Sequence, residues 1–263
     1  MIAKEPSVTP RQATMRPLLT AVALVANALA ARPAAACDPA AAQMIGIMTM
    51  YDGTIGPYPI RMGLQFEPGG VAAGRYAYPA SPGTIRLAGQ LANGHRLTIT
   101  EFGATGWPAA TFATTLPGTK KTDCDVIRGT WTQAATGRRL PVRLRLSDTS
   151  MRPLSYYLSP ATLRIEQAAV AFRAAALAGR RAEVAAALHY PVFVSIGETR
   201  MRLPNAAALR ARYDAIFTPA YLARIRDDIP HLMFVRDQGL MLGGGAVWFN
   251  RAGAVISLNS PGR

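Results

Sequence analysis

Lysines and acidic residues are scarce in this 263-residue chain. It has 15 acidic residues against 29 basic ones, a net charge of +14, and its only lysines are Lys4, Lys120 and Lys121. No run of five or six like charges occurs, and half of the residues are apolar, which excludes a disordered chain with charged tails. The arginine excess has two interpretations: cations spread over a solvated surface, or attraction to an anionic partner.

Motifs for metal binding and nucleophilic catalysis are also lacking. The three histidines and two cysteines show no His-x-x-x-His or Cys-x-x-Cys spacing, so the sequence indicates no metal site. Gly243-Gly244-Gly245 is not followed by the Lys-Ser/Thr pair of a phosphate loop, and no Gly-x-Ser-x-Gly elbow occurs. We predict no cofactor, and a binding protein is favoured over an enzyme.

Long apolar runs are confined to the start of the chain. Arg16 is followed by an apolar stretch over residues 18–31 and by small residues at 34–36, just before Cys37. This order is typical of a secretory signal peptide, and about 14 apolar residues are too few to span a bilayer, which needs about 20. We predict that residues 1–36 are a signal peptide and that the protein is periplasmic or secreted. A lipid anchor on Cys37 is the alternative.

The two cysteines indicate a disulfide in such an oxidising compartment. Joining Cys37 to Cys124 would close a loop of roughly 87 residues, worth up to ~4–5 kcal/mol on the chain-entropy model. Acylation would use the same sulfur of Cys37, so the two interpretations exclude each other. Removal of residues 1–36, which carry four basic residues and one acidic one, lowers the net charge from +14 to +11.

Residues 37–148 have an apolar period of two. Apolar residues alternate with polar ones or glycine at Ile60, Met62, Leu64 and Phe66, as on a half-buried strand. Eight such runs are separated by turn sequences, among them Asn93-Gly94, the preferred pair for a two-residue hairpin. We predict an antiparallel meander of eight strands that closes as a small barrel, with an open sandwich as the alternative.

Arginines mark the outer face of the last predicted strand. Arg139, Arg143 and Arg145 alternate there with Leu140, Val142 and Leu144. They are either ordinary solvated cations or a docking stripe for an anionic partner.

The period lengthens to about 3.6 from position 160. We predict a linker over residues 149–159 and an α+β domain over residues 160–263. Its helices begin at 160, 180, 205 and 218, the third carrying Leu209, Tyr213 and Ile216 on one stripe, with Asn205 and Thr218 as caps. Its strands are expected at 191–196, 199–203, 234–242, 246–250 and 254–258.

This second half resembles the NTF2-like, or cystatin-like cone, fold of exported bacterial proteins of unknown function. The resemblance rests on three segments: His189-Tyr190-Pro191, Tyr213-Asp214-Ala215-Ile216-Phe217-Thr218-Pro219, and Gly239-Leu240-Met241-Leu242-Gly243-Gly244-Gly245-Ala246-Val247-Trp248-Phe249. The first half is similar to the β-rich module that precedes such domains, at Gly53-Thr54-Ile55-Gly56, Pro59-Ile60-Arg61-Met62 and Gly129-Thr130-Trp131-Thr132. The resemblance implies an apolar pocket in the cone, and a family in which some members are isomerases or cyclases while others bind or assemble.

Two functional hypotheses follow from these residues. The leading one is a non-catalytic binding or assembly module for an anionic envelope component or a protein partner, with Arg139, Arg143, Arg145 and Trp248 as binding candidates. We expect no nucleic acid partner, while contact with a membrane surface and a homodimer through the open face of the cone sheet stay open.

The alternative is an isomerase or hydrolase acting in the cone pocket. His189 and His231 each lie beside the start of a predicted strand, and either could form an acid–base dyad with Asp214. Ordinary structural roles for the three residues are the competing interpretation.

Overall fold

A closed β-barrel makes up the first half of the molecule. The computed structural model describes residues 37–118, 120–236 and 239–261, so the predicted signal peptide lies outside it. The barrel strands are β1 Met48–Ile55, β2 Tyr58–Phe66, β3 Val71–Ala77, β4 Ile85–Ala92, β5 Arg96–Phe102, β6 Pro108–Thr115, β7 Val126–Gln133 and β8 Arg139–Thr149. Each is antiparallel to the next and β8 pairs with β1, so the predicted eight-stranded barrel is confirmed and the open sandwich is wrong.

Alternating side chains fill the barrel. Ile60, Met62 and Leu64 point inward and are each 1% exposed, as expected for eight strands, whose lumen is only wide enough for side chains. The strands also approach one another closely: a Cβ at Gly89 would lie 2.1 Å from the carbonyl oxygen of Thr98. Only glycine is tolerated at such a contact, which lets the sheet coil tightly enough to close.

The place of the hairpin turn and the disulfide agree with the sequence. Asn93 and Gly94, with φ of 53° and 65°, lie at the predicted turn between β4 and β5. The predicted two-residue loop is wrong, because Ala92 pairs with Arg96 and the loop therefore also contains His95. The sulfur atoms of Cys37 and Cys124 lie at bonding distance, 1.99 Å apart, and the two residues are 87 positions apart in the sequence. The disulfide ties the segment before β1 to the loop before β7. Inside the barrel, the hydroxyl of Tyr51 also donates to the carbonyl of Cys124 at 2.9 Å.

We expect replacement of both cysteines, Cys37→Ser with Cys124→Ser, to lower the free energy of unfolding by about 4 kcal/mol, because the unfolded chain then regains the freedom of a long loop. Urea unfolding of the oxidised protein against the double variant measures the difference. The oxidised protein treated with a reductant serves as control and should match the variant. A loss below about 1 kcal/mol would contradict the stabilising role.

The second half is α+β, as predicted. Its elements are α1 Leu154–Tyr157, α2 Pro160–Leu177, α3 Arg181–Ala186, β9 Leu188–Ile196, β10 Thr199–Leu203, α4 Ala206–Ala211, α5 Tyr213–Ile216, α6 Pro219–Asp227, β11 Phe234–Arg236, β12 Gly239–Leu242, β13 Val247–Phe249 and β14 Val255–Ser260. The six strands form one sheet in the order β10-β9-β14-β13-β12-β11. Only the β9–β14 pair is parallel.

Helix caps are as predicted, but two boundaries are wrong. Asn205 and Thr218 accept from the backbone N–H groups three residues on, as N-caps do. The single helix expected after Asn205 is broken at Arg212, whose φ of −115° is not helical, giving α4 and α5. The expected strand over 234–242 is a pair of strands, β11 and β12, with Phe234 opposite Met241.

The helices cover one face of the second sheet. Phe172 of α2 and Ile225 of α6 pack with Phe249 of β13 in a core separate from that of the barrel. A smaller cluster of Met48, Met50, Tyr157 and Leu232 lies between the two cores. The described residues form one compact unit by their contacts. No helix among them is long and apolar enough to cross a membrane.

Arg61 on the outer wall of the barrel joins the two halves. Its guanidinium donates to both carboxylate oxygens of Asp52, to Asp228 Oδ1 at 2.7 Å and to the carbonyl of Ile229 at 3.1 Å. Burial opposes its charge, but Asp228 and Asp52 together raise the pKa of Arg61 above its ordinary value. Asp228 also accepts from the backbone N–H groups of Ile229 and Gly243, so this carboxylate fixes α6, the turn after β12 and the barrel at once.

Two further polar contacts link α2 and the segment before β11 to the loop between β3 and β4. Arg173 of α2 donates to the carbonyl of Pro79 at 3.1 Å, and Nε2 of His231 lies 3.0 Å from the carbonyl of Ser81. Next to Arg61, Gly63 leaves room for apolar packing, since a Cβ there would lie 2.5 Å from the Met48 methyl group. The second half of the molecule therefore covers the outer barrel wall near the start of β1.

We expect Asp228→Asn to lower the free energy of unfolding by about 2–3 kcal/mol, because it leaves the buried guanidinium of Arg61 with one carboxylate instead of two. Denaturant unfolding measures the loss. Asp214→Asn is the matched control: it removes a surface pair with Arg181 whose carboxylate side chain is 74% exposed, and should cost less than ~1 kcal/mol. Equal losses in the two variants would contradict the junction role of Asp228.

Candidate functional site

The helix-free face of the second sheet carries a row of large side chains. Strands alternate their side chains between two faces, so those not packed on the helices line up across the sheet. Direct cross-strand neighbours in this row, from β10 to β11, are Arg202, Phe193, Ser257, Trp248, Met241 and Phe234. We call this the cross-sheet row.

The barrel wall stands over one end of the cross-sheet row, and the two border a half-open cavity of about 610 Å³. Its barrel side consists of Met50, Arg61, Ser147 and Asp148, and its sheet side of Phe234, Arg236, Met241, Trp248 and Asn259, with Asp228, Leu232, Gly244 and Gly245 at the junction. A second concavity of about 560 Å³ adjoins it at Trp248 and Asn259, and runs over β9 past Phe193 to His189 and Arg200. We call the two together the cleft.

A β-bulge in β8 presents Asp148 to the cleft. Tyr51 of β1 pairs with Leu146 and Met50 pairs with Asp148, so Ser147 is an extra residue in β8. Strict alternation after Leu144 would direct Asp148 into the barrel. Bulges re-aim side chains in this way, and here the bulge puts the carboxylate on the outer wall beside Met50.

Asp148 is short of hydrogen-bond partners. Its Oδ2 is buried and accepts no hydrogen bond from any residue that the structure describes. Burial raises the pKa of this carboxyl, while the backbone N–H of Thr149 and the charge of Arg61 oppose the rise. Buried carboxylate oxygens are normally satisfied, so Oδ2 of Asp148 is an exception that destabilises the barrel wall next to the cavity.

Arginines without carboxylate partners line the cleft. Within the described ranges, Arg200 and Arg236 have no acidic group within 4.0 Å. Arg200 and Arg236 lie over the rings of Phe193 and Phe234, with guanidinium-to-centroid distances of 5.0 Å and 5.5 Å. Such stacking holds each cation in place and leaves its N–H groups without a carboxylate to bind.

The structure does not pair the three residues of the predicted dyad. Asp214 accepts from Arg181 at 2.5 Å on the surface. His231 is buried, with Nδ1 3.1 Å from Glu166 Oε2. His189 is exposed and lies in the cleft without the other two. Glu166 is the acidic partner of His231 that the sequence reasoning missed, and its Oε1 also accepts from the backbone N–H of Leu232 at 2.7 Å.

The arginine stripe on β8 is only partly a cluster. Arg143 lies opposite Arg128 of β7, and with Arg145 these two line an open concavity of about 640 Å³ on the outer barrel wall. Arg139 is exposed opposite Thr132 and does not line it. Of the four binding candidates from the sequence, Trp248 is the one that lies at the centre of the cleft.

Comparisons with known proteins do not identify the chain. No protein-family model matches it, and neither a curated protein nor a solved structure does. Among the described residues no group of three or more His, Cys, Asp or Glu side chains could hold a metal ion. The geometry of the cleft is therefore the basis for any functional proposal.

The unpartnered carboxylate predicts an unusual pH dependence of stability. A carboxyl whose pKa is raised by folding disfavours the folded state above that pKa, and the penalty disappears below about pH 4, where both states are protonated. We expect Asp148→Asn to raise the melting temperature at pH 7, with the gain shrinking as the pH falls toward 4. Calorimetry across this pH range measures it.

Asp125→Asn is the control, since Asp125 is an exposed carboxylate on the same barrel. An Asp148→Asn variant that is less stable than the parent at pH 7 would contradict the argument.

Proposed function

We propose that this protein is an exported, non-catalytic binding protein and that the cleft holds a small ligand with an apolar body and an anionic group. The observation that carries the proposal is the cross-sheet row, four of whose six side chains are apolar, together with bordering arginines that have no carboxylate partner among the described residues. The cleft has the size and the mixture of apolar and polar lining that small-molecule sites typically have.

The chemistry of the lining favours an anion over a neutral apolar ligand. Arg200 and Arg236 stand at opposite parts of the cleft, each held by an aromatic ring. A guanidinium fixed in this way pays little entropy when it binds a carboxylate or phosphate with two hydrogen bonds. Phe193, Trp248 and Met241 would meanwhile contact the apolar body.

Export is proposed on two observations. Residues 1–36 have the order of charge, apolar run and small residues of a signal peptide, and Cys37 lies at bonding distance from Cys124. A sulfur held in a disulfide cannot carry an acyl chain, which supports a soluble mature protein over the lipid-anchored alternative. We also propose an NTF2-like cone for the second half, supported by its six-stranded sheet with helices on one face only.

The test uses anilinonaphthalene sulfonate, an anionic aromatic probe whose fluorescence rises on an apolar surface. We expect Trp248→Ala to abolish most of the rise in fluorescence, because the ring surface is lost. The double variant Arg200→Gln with Arg236→Gln should weaken probe binding about tenfold, because the charge is lost. Added salt should weaken binding to the parent protein. Fluorescence titration measures each affinity.

The controls are Trp107→Ala, which removes a tryptophan 76% exposed outside the cleft, and Arg138→Gln with Arg139→Gln. Both should bind the probe as the parent protein does. An unchanged titration in Trp248→Ala would contradict the proposal. A doubled mass by light scattering, with no probe binding, would instead assign the open face to a second copy of the chain.

A further inference from the structure

We propose that the open concavity on the outer barrel wall is a second binding site, which takes a multiply charged oxyanion of the phosphate class. The concavity has a volume of about 640 Å³, and its lining includes Asp52, Val126, Arg128, Arg143, Leu144 and Arg145. We call it the β8 concavity. It is separate from the cleft and does not depend on the function proposed for the cleft.

The feature that carries the inference is a group of three exposed arginines on two neighbouring strands. Arg128, Arg143 and Arg145 have no acidic group within 4.0 Å among the residues that the structure describes. Arg128 takes the place that the sequence assigned to Arg139, which lies outside the concavity.

The strand register brings the three guanidinium groups together. Arg128 of β7 lies directly opposite Arg143 of β8, and Arg145 follows Arg143 on the same outer face. Side chains opposite each other start about 5 Å apart, and those two positions apart on one strand about 7 Å apart. Arginine side chains reach across such separations, so all three can contact one bound group. Like charges that face each other across two strands are destabilising, and a bound anion would offset this cost.

The acidic residue of the lining does not neutralise these arginines. Asp52 lies opposite Arg145 in the register of β1 and β8, yet both of its carboxylate oxygens accept from Arg61, Oδ1 at 2.8 Å. Asp125, just before β7, is exposed and forms no ion pair within the described ranges. The three arginines therefore keep N–H groups that an external anion can accept from.

The lining favours a polar, multiply charged ligand. A phosphate group presents three or more acceptor oxygens in a tetrahedral arrangement, whereas a planar carboxylate presents two, so phosphate matches three guanidinium groups better. The apolar lining is limited to Val126 and Leu144, and among the described residues no aromatic ring lines the concavity, unlike the cleft with Phe193 and Trp248. A free phosphate compound and the phosphate headgroup of a lipid share this chemistry.

The test titrates inorganic pyrophosphate against the full protein by calorimetry, because about 640 Å³ admits more than one phosphate group. We expect Arg128→Gln with Arg143→Gln to weaken pyrophosphate binding at least ~tenfold, because charge-assisted hydrogen bonds from two guanidinium groups are lost. Arg138→Gln with Arg139→Gln is the matched control. It removes the same charge from the same hairpin outside the concavity, and binding should stay within about twofold of the parent, because exposed charges at a distance are screened.

Two further comparisons define the ligand. Malonate carries two charges on planar carboxylates and should bind more weakly than inorganic phosphate. Vesicles of phosphatidylcholine with and without phosphatidic acid separate the two sources of phosphate. Retention of the parent protein on phosphatidic acid, released by pyrophosphate and lost in the Arg128 and Arg143 double variant, would assign a lipid headgroup. Pyrophosphate binding without retention would assign a soluble phosphate compound.

The cleft is tested separately with Arg200→Gln and Arg236→Gln together, which should bind pyrophosphate as the parent protein does. Circular dichroism confirms that each variant is folded. Equal weakening in the Arg128 and Arg143 variant and in the Arg138 and Arg139 variant would overturn the inference, because binding would then follow net charge alone. Loss of pyrophosphate binding in the cleft variant would overturn it too. If the sulfonate probe binds at Trp248 and pyrophosphate does not bind, this inference fails and the proposed function stands.

Discussion

The architecture depends on the ion pair between Arg61 and Asp228. The barrel and the second sheet have separate cores, so their mutual placement rests on the contacts between them. Arg61 supplies the strongest of these, because its partners Asp52 and Asp228 come from the barrel and from the end of α6. Asp228 in turn holds the turn that leads to β13 through Gly243. The cavity opens beside this pair, and Arg61 and Asp228 both line it.

Asp148 is a local source of instability in the barrel wall. A carboxylate beside Met50 with one oxygen unsatisfied destabilises the folded protein, and an apolar residue there would pack better. The neighbouring Asp228 shows the opposite case, since its oxygens accept from Arg61 and from two backbone N–H groups.

The sequence was sufficient for the barrel and insufficient for the cleft. Alternation such as Ile60, Met62, Leu64 reports which face of a strand is buried, so all eight strands could be predicted. The extra residue Ser147 in β8 leaves that alternation almost unchanged, so the sequence does not show that Asp148 lies on the outer wall. A readable signal did exist at Met48 and Met50, which are apolar at outward-facing positions where other strands carry polar residues. Apolar residues at outward-facing positions indicate that another part of the chain covers the barrel wall there.

Long-range pairing explains the remaining errors. Residues 234–242 contain two strands, and the second of them, β12, pairs with the distant strand β13. At the start of β12, Gly239 lies against the carbonyl oxygen of Phe249 in β13. Asp214 was paired with a histidine because both residue types suit acid–base chemistry. Sequence spacing could not show that Glu166, on the helix packed above, is nearer to His231.

The position of β14 has a consequence for how the second sheet forms. This strand lies between β9 and β13 and is the parallel neighbour of β9, although about sixty residues separate them along the chain. Without β14 the sheet would consist of two separate pieces, the hairpin β9–β10 and the three-stranded β11–β12–β13. Distant pairings of this kind slow assembly. The barrel carries the same burden at one place, where β1 pairs with β8, while its other neighbouring strands follow one another in the sequence.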